Sequence, residues 1–194
     1  MEMENIRYCF VVKLVDIQTR TDVLHPRIVR RIVPGMRIIF GPDCTPISTM
    51  NEFTVEKAYR ARRAGKSWLN TQSSYADDLY QFATYMHVRG LSEDDVTIDD
   101  LEEFSFCLID AVSVKTKKKL TPATVKRRVG TVARYFRWRV AKGFPTRIGL
   151  DQITAALKTG FTWTQTMRNH SLYSLTPEDL PLSEKISPFF GGEL

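Results

Sequence analysis

Aspartate and glutamate are missing altogether between Ala111 and Leu150, while Lys115, Lys117, Lys118, Lys119, Lys126, Arg127, Arg128, Arg134, Arg137, Arg139, Lys142 and Arg147 all fall inside that stretch. Such a stretch excludes a helix face laced by local ion pairs between Lys115 and Lys142, because no acid stands three or four residues from any base there. Cysteine is scarce. Cys9, Cys44 and Cys107 stand apart, with no CxxC spacing and no histidine cluster beside them, which argues against structural zinc and a disulfide framework. His25, His87 and His170 are isolated from one another, so no metal and no cofactor is expected. Long hydrophobic runs are lacking too: nothing approaches the roughly 18 apolar residues that span a bilayer. The acidic start "MEMENIRY" has no basic n-region of a signal peptide. The expectation is a cytoplasmic chain with no membrane partner.

What is there fits a globular protein. The chain has 194 residues, 43% hydrophobic and 26% charged, enough for one domain or a compact core with appendages. Its net charge of +6 leans mildly toward nucleic acid. The distribution says more, because Glu93, Asp94, Asp95, Asp99, Asp100, Glu102, Glu103 and Asp110 form an acidic segment with no base among them. Charge is separated along the chain, and the expectation is that it is separated on the surface as well.

Residues 1–52 read as a β-rich extension. "YCFVVKLV" and "MRIIF" are short β-branched and aromatic runs punctuated by Pro and Gly, giving two or three strands. They are too few to hold a core alone, so they are expected to pack on the segments C-terminal to them or on a partner. From about Phe53 the period becomes helical. In "FTVEKAYRARRAGKSWL", Val55, Ala58, Tyr59 and Trp68 point inward. Thr71 caps a second helix with Tyr75, Leu79, Phe82, Ala83 and Met86 on one face and Gly90 at its end. Thr97 and Asp100 have the spacing of a capping box, and Leu101, Phe104, Leu108 and Val112 come after it on one side. A lysine-rich connector leads to a fourth helix, which starts at Thr121-Pro122 and stops at Gly143. The fold class is therefore mainly α, a four-helix bundle over residues 53–144. Residues 145–194 hold a short helix in "LDQITAALKTGF" and a Pro-rich linker or tail.

The fourth helix has two faces. On a wheel with Val125 at zero, Val129, Val132, Phe136 and Val140 lie within about 60 degrees of it at roughly 100 degrees per residue. Lys126, Arg127, Arg134 and Arg137 occupy the arc from about 100 to 200 degrees. Four cations on one side repel each other unless an anion lies across them, and a phosphate backbone would release counterions on meeting them. Thr121 and Thr124 add hydroxyls and amide donors at the helix start, where anions bind.

These residues resemble the core-binding domain of tyrosine recombinases, the phage-integrase family. Thr71, Tyr75, Asp78, Leu79 and Phe82 match the family's first signature, and Pro122, Thr124, Arg127, Arg128, Arg134, Tyr135, Phe136 and Trp138 match its second. The match covers about half the chain. The resemblance implies a SAM-like bundle that clamps one side of a recombination site in double-stranded DNA, beside other recombinase protomers. It implies DNA contacts from Thr71, Gln72, Ser73, Lys115, Lys117, Lys118, Lys119, Thr121, Thr124, Lys126, Arg127, Arg134 and Arg137. Tyr75 and Phe136 lie on apolar faces and are expected in the core. The family's catalytic residues reside in a separate C-terminal domain. His170 and Tyr173 stand too close together for its pattern, so no enzymatic activity is expected of these residues, and "SLTPEDLP" resembles the linker before that domain. Two other classes compete: a helical interaction domain whose basic face meets an acidic protein, the segment from Glu93 to Asp110 of a second copy included, and a helix-turn-helix factor. For the latter the connector "VSVKTKKKLTP" is too long.

Overall fold

The computed structural model describes residues 9–13, 31–112 and 117–159. The chain divides into two compact units, Met1–Glu93 and Asp94–Leu194, which are described one at a time. The described residues are mainly helical, as the periodicity predicts.

In the first unit, β1 (Phe10–Lys13) and β2 (Arg37–Phe40) pair antiparallel, with Phe10 opposite Phe40 and Lys13 opposite Arg37. Two strands alone are marginal in water. Here β2 packs on two helices, α1 (Ser48–Arg63) and α2 (Trp68–Arg89). Ile32, Met36, Ile38, Val55 and Ala58 make one buried cluster with Trp68 and Leu69 partly packed against it. Ile32, Met36 and Ile38 of the β-rich segment are thus part of the first unit's core.

Two buried amides hold the edge of β2. The Ile39 amide donates to Asn51 Oδ1 at 2.9 Å, and Asn51 Nδ2 donates back to the Ile39 carbonyl at 2.8 Å. Gln72 treats Arg37 the same way, accepting from its amide at 2.9 Å and donating to its carbonyl at 2.7 Å. Alternate residues of a strand present their backbone groups on the same edge. Asn51 from α1 and Gln72 from α2 therefore satisfy donors and acceptors that a third strand would otherwise meet.

α1 begins at Ser48, five positions before the expected Phe53, with Ile47 at the N-cap and no side-chain cap. Thr49 has a hydroxyl suited to capping, but it donates to the Glu93 carboxylate instead. Val55 and Ala58 are buried as expected, whereas Tyr59 is 47% exposed. α2 starts at Trp68, not after Thr71, whose hydroxyl donates to the Ser67 carbonyl inside the first turn. Gly90 ends α2 with φ of 65°, and the Leu91 amide reaches the Met86 carbonyl in a Schellman closure. Leu79, Phe82, Ala83 and Met86 are buried, and Tyr75 meets the Phe53 ring edge-on.

The second unit is built from α3 (Ile98–Asp110), α4 (Pro122–Lys142) and α5 (Leu150–Thr159). The capping box at Thr97 and Asp100 forms as predicted, with both reciprocal bonds present. A bridge between Val112 and Lys119 draws the two ends of the connector together. Leu101, Phe104 and Leu108 of α3 are buried, while Val112 lies beyond the helix and is exposed. α4 packs on both α3 and α5, the latter through buried Ile153 and Ala156. The four helices expected between residues 53 and 144 are all present, two in each unit. Among the described residues no helix is long and apolar enough to cross a membrane. "HSLY" and "SLTPEDLP" lie outside the described residues.

Candidate nucleic-acid interface

α4 owes its position to its apolar side. Val125, Val129, Val132 and Phe136 are buried, each contributing roughly 1.5 to 3 kcal/mol of transfer free energy. Burial extends well beyond that stripe, taking in Thr131, Ala133, Tyr135, Trp138 and Arg139. The Tyr135 and Trp138 rings stack with centroids 6.0 Å apart, and Trp138 also meets Phe144. Trp138, whose angle lies beside the basic stripe, is a core residue.

On the same wheel the buried residues sweep from about 220 degrees through zero to about 80 degrees. The remaining arc, from about 100 to 200 degrees, carries Ala123, Lys126, Arg127, Gly130, Arg134, Arg137 and Ala141. Its four cations are all exposed. The other three positions have a methyl group or none, so nothing projects between the charges. Lys126, Arg134 and Arg137 have no carboxylate partner among the described residues. The Arg134 guanidinium lies back over Gly130, where an added Cβ would stand 3.5 Å from Nη1.

Other bases of the acid-free stretch do find acids, which corrects the expected separation of charge by surface. Arg139 is 2% exposed and donates to Asp94, to the Pro145 carbonyl at 3.0 Å and to the Tyr135 hydroxyl at 3.3 Å. Arg147 pairs with Asp95 at 2.8 Å, and Lys119 with Asp110 at 3.0 Å. The acidic segment thus folds onto bases at both ends of α4, while Lys126, Arg134 and Arg137 keep no carboxylate partner among the described residues.

Thr121 is the N-cap of α4, its hydroxyl accepting from the Thr124 amide at 3.2 Å and lying 2.9 Å from the Thr124 hydroxyl. Pro122 has no amide hydrogen, and the Val125 amide bonds the Thr121 carbonyl. Only the Ala123 amide is left over, so this helix start is a poorer anion site than its sequence suggests. Lys117 and Lys118 are exposed, Lys117 in the left-handed region at φ 53°. Lys115 lies outside the described residues.

The expected cluster at the start of α2 belongs to the first unit and is placed differently. Gln72 is fully buried, with both amide atoms bonded to Arg37 and Nε2 also 3.3 Å from Thr54 Oγ1. It holds β2 and offers nothing to an outside ligand, which corrects its assignment to DNA. Thr71 and Ser73 are half-buried on either side of it.

Burial pushes the Cys9 thiol in the first unit up to about 11, so it stays protonated at neutral pH. Among the described residues no group of three His, Cys, Asp or Glu side chains is placed to hold a metal ion. Compared with models of protein families, with curated proteins and with solved structures, the chain gives no match.

Proposed function

We propose that the second unit binds double-stranded DNA through the open arc of α4, as the core-binding module of a tyrosine-type recombinase. The observation that carries the DNA reading is the exposed arc itself: Lys126, Arg134 and Arg137 without carboxylate partners among the described residues, and small residues between them. A convex helix of this kind fits a major groove, where its flat spacing lets phosphates or base edges come close. Arg127 stands on the same arc, and Lys117 and Lys118 extend the positive field toward the connector. In this reading these side chains position the protein on the backbone, and any guanine contact falls to the arginines.

The recombinase part of the reading rests on the two signatures, to which the fold gives a physical division of labour. Within the second, Tyr135, Phe136 and Trp138 are core, while Arg127 and Arg134 face outward. A SAM-like bundle, partner protomers on the same site and a cytoplasmic location belong to the same proposal. The module binds; strand cleavage is not assigned to it. Self-association through the acidic segment is disfavoured, because Asp94, Asp95 and Asp110 already pair within the chain and Asp100 closes a cap.

Titration of a labelled duplex at rising salt tests the proposal. Three or four phosphate contacts predict a log–log slope of about −3 to −4. The double variant Arg134→Ala with Arg137→Ala should lower that slope by about 2 and leave the unfolding midpoint unchanged. Affinity that is flat in salt, or no binding at about 50 mM salt, overturns it.

A further inference from the structure

The first unit carries a second cationic feature that α4 does not account for. Tyr59, Arg62 and Arg63 stand at helical spacings of three and four, so they share one side at the end of α1. They line an open surface cleft of about 580 Å³. The Arg31 guanidinium carbon lies 5.5 Å from the Tyr59 ring centroid, and that of Arg62 lies 5.9 Å from the centroid of Trp68. None of Arg31, Arg62 and Arg63 has a carboxylate partner among the described residues, whereas Arg60 beside them pairs with Glu56.

Arginines that lean on rings keep their N–H edges open to an anion. Arg31 lies over the Tyr59 ring, and the part of that half-exposed ring which it leaves uncovered offers an apolar surface that water covers poorly. Cations in the last turn of a helix also offset its dipole, but that end carries only about half a negative charge. One arginine meets it. The dipole gives no reason for an exposed ring, nor for Arg31, which lies outside α1.

We infer that Tyr59 with Arg31, Arg62 and Arg63 forms a binding site for single-stranded nucleic acid, with an unpaired base on the Tyr59 ring and adjoining phosphates on the arginines. In a duplex the bases are stacked on one another and leave nothing for the ring. In a single strand every base has a free face, and stacking on an aromatic side chain tolerates any sequence. The site lies in the other unit from the duplex-binding arc and stands independently of it.

Fluorescence anisotropy on the whole chain separates the two. With labelled oligothymidine as the probe, Tyr59→Ala should weaken binding about ten-fold, Tyr59→Phe should retain it, and affinity for duplex should stay unchanged in both. The double variant of Arg134 and Arg137 should show the opposite pattern, losing duplex first. Because Tyr59 is half-exposed, circular dichroism of Tyr59→Ala should match the parent. Oligothymidine affinity within two-fold of the parent, or an equal loss on both forms of DNA, overturns the inference. A Tyr59 effect that persists where no duplex binding exists removes the α4 reading alone.

Discussion

Arg139 is the cation that α4 keeps inside. It lies among the Tyr135 and Phe144 rings, with its guanidinium shared between Asp94, the Pro145 carbonyl and the Tyr135 hydroxyl. Removing Asp94 leaves a buried charge short of its counter-ion, whereas removing the arginine leaves a half-exposed carboxylate that water can solvate. Asp94→Ala is therefore expected to cost about 2 kcal/mol in denaturant unfolding, discounted for the exposure of the aspartate. Arg139→Met should cost less, since its unbranched side chain fills similar space without a charge. The position of Arg139 was visible in the chain: it stands about 40 degrees from Val125, inside the apolar sector. Gln72 was not visible. A glutamine in a first turn reads as surface, and only the approach of β2 turns it inward.

At the scale of elements, helix ends were the most legible feature. Thr97 with Asp100, Gly90, Thr121 with Pro122, and Gly143 act as local signals that need no tertiary partner. The starts of α1 and α2 lacked such signals. Ile47 and Ser67 make no side-chain cap, and burial of Met50, Asn51 and Phe53 sets where α1 begins. The inward direction expected of Tyr59 failed for a similar reason, since α1 buries a narrower side at its end than at its middle. Gly130 gives α4 a testable weakness. Its φ is ordinary and an added methyl meets only normal contacts, so Gly130→Ala should stabilise the protein by about 0.5 to 1 kcal/mol. Urea unfolding would measure this, with duplex affinity held as the parent's because the arc keeps its four cations.

Over the whole molecule, charge is the property that sequence alone resolved least well. The segment of acids and the segment of bases suggested two opposed surfaces, but Asp94, Asp95 and Asp110 reach back to Arg139, Arg147 and Lys119. Sequence shows which charges exist, and only folding decides which of them cancel. Among the described residues, cations left without a carboxylate partner include Lys126, Arg134 and Arg137 on α4 in one unit and Arg31, Arg62 and Arg63 around Tyr59 in the other. Salt should accordingly weaken binding to both forms of nucleic acid while leaving unfolding nearly unchanged, because surface pairs such as Lys119 with Asp110 contribute little. The amide clasps on β2 have a further consequence. Since one comes from α1 and the other from α2, the backbone protons of Arg37 and Ile39 are guarded by two different helices. Prising that helical hairpin apart would release both, so their deuterium uptake should rise in step, whereas independent rates would mean that each helix lets go on its own.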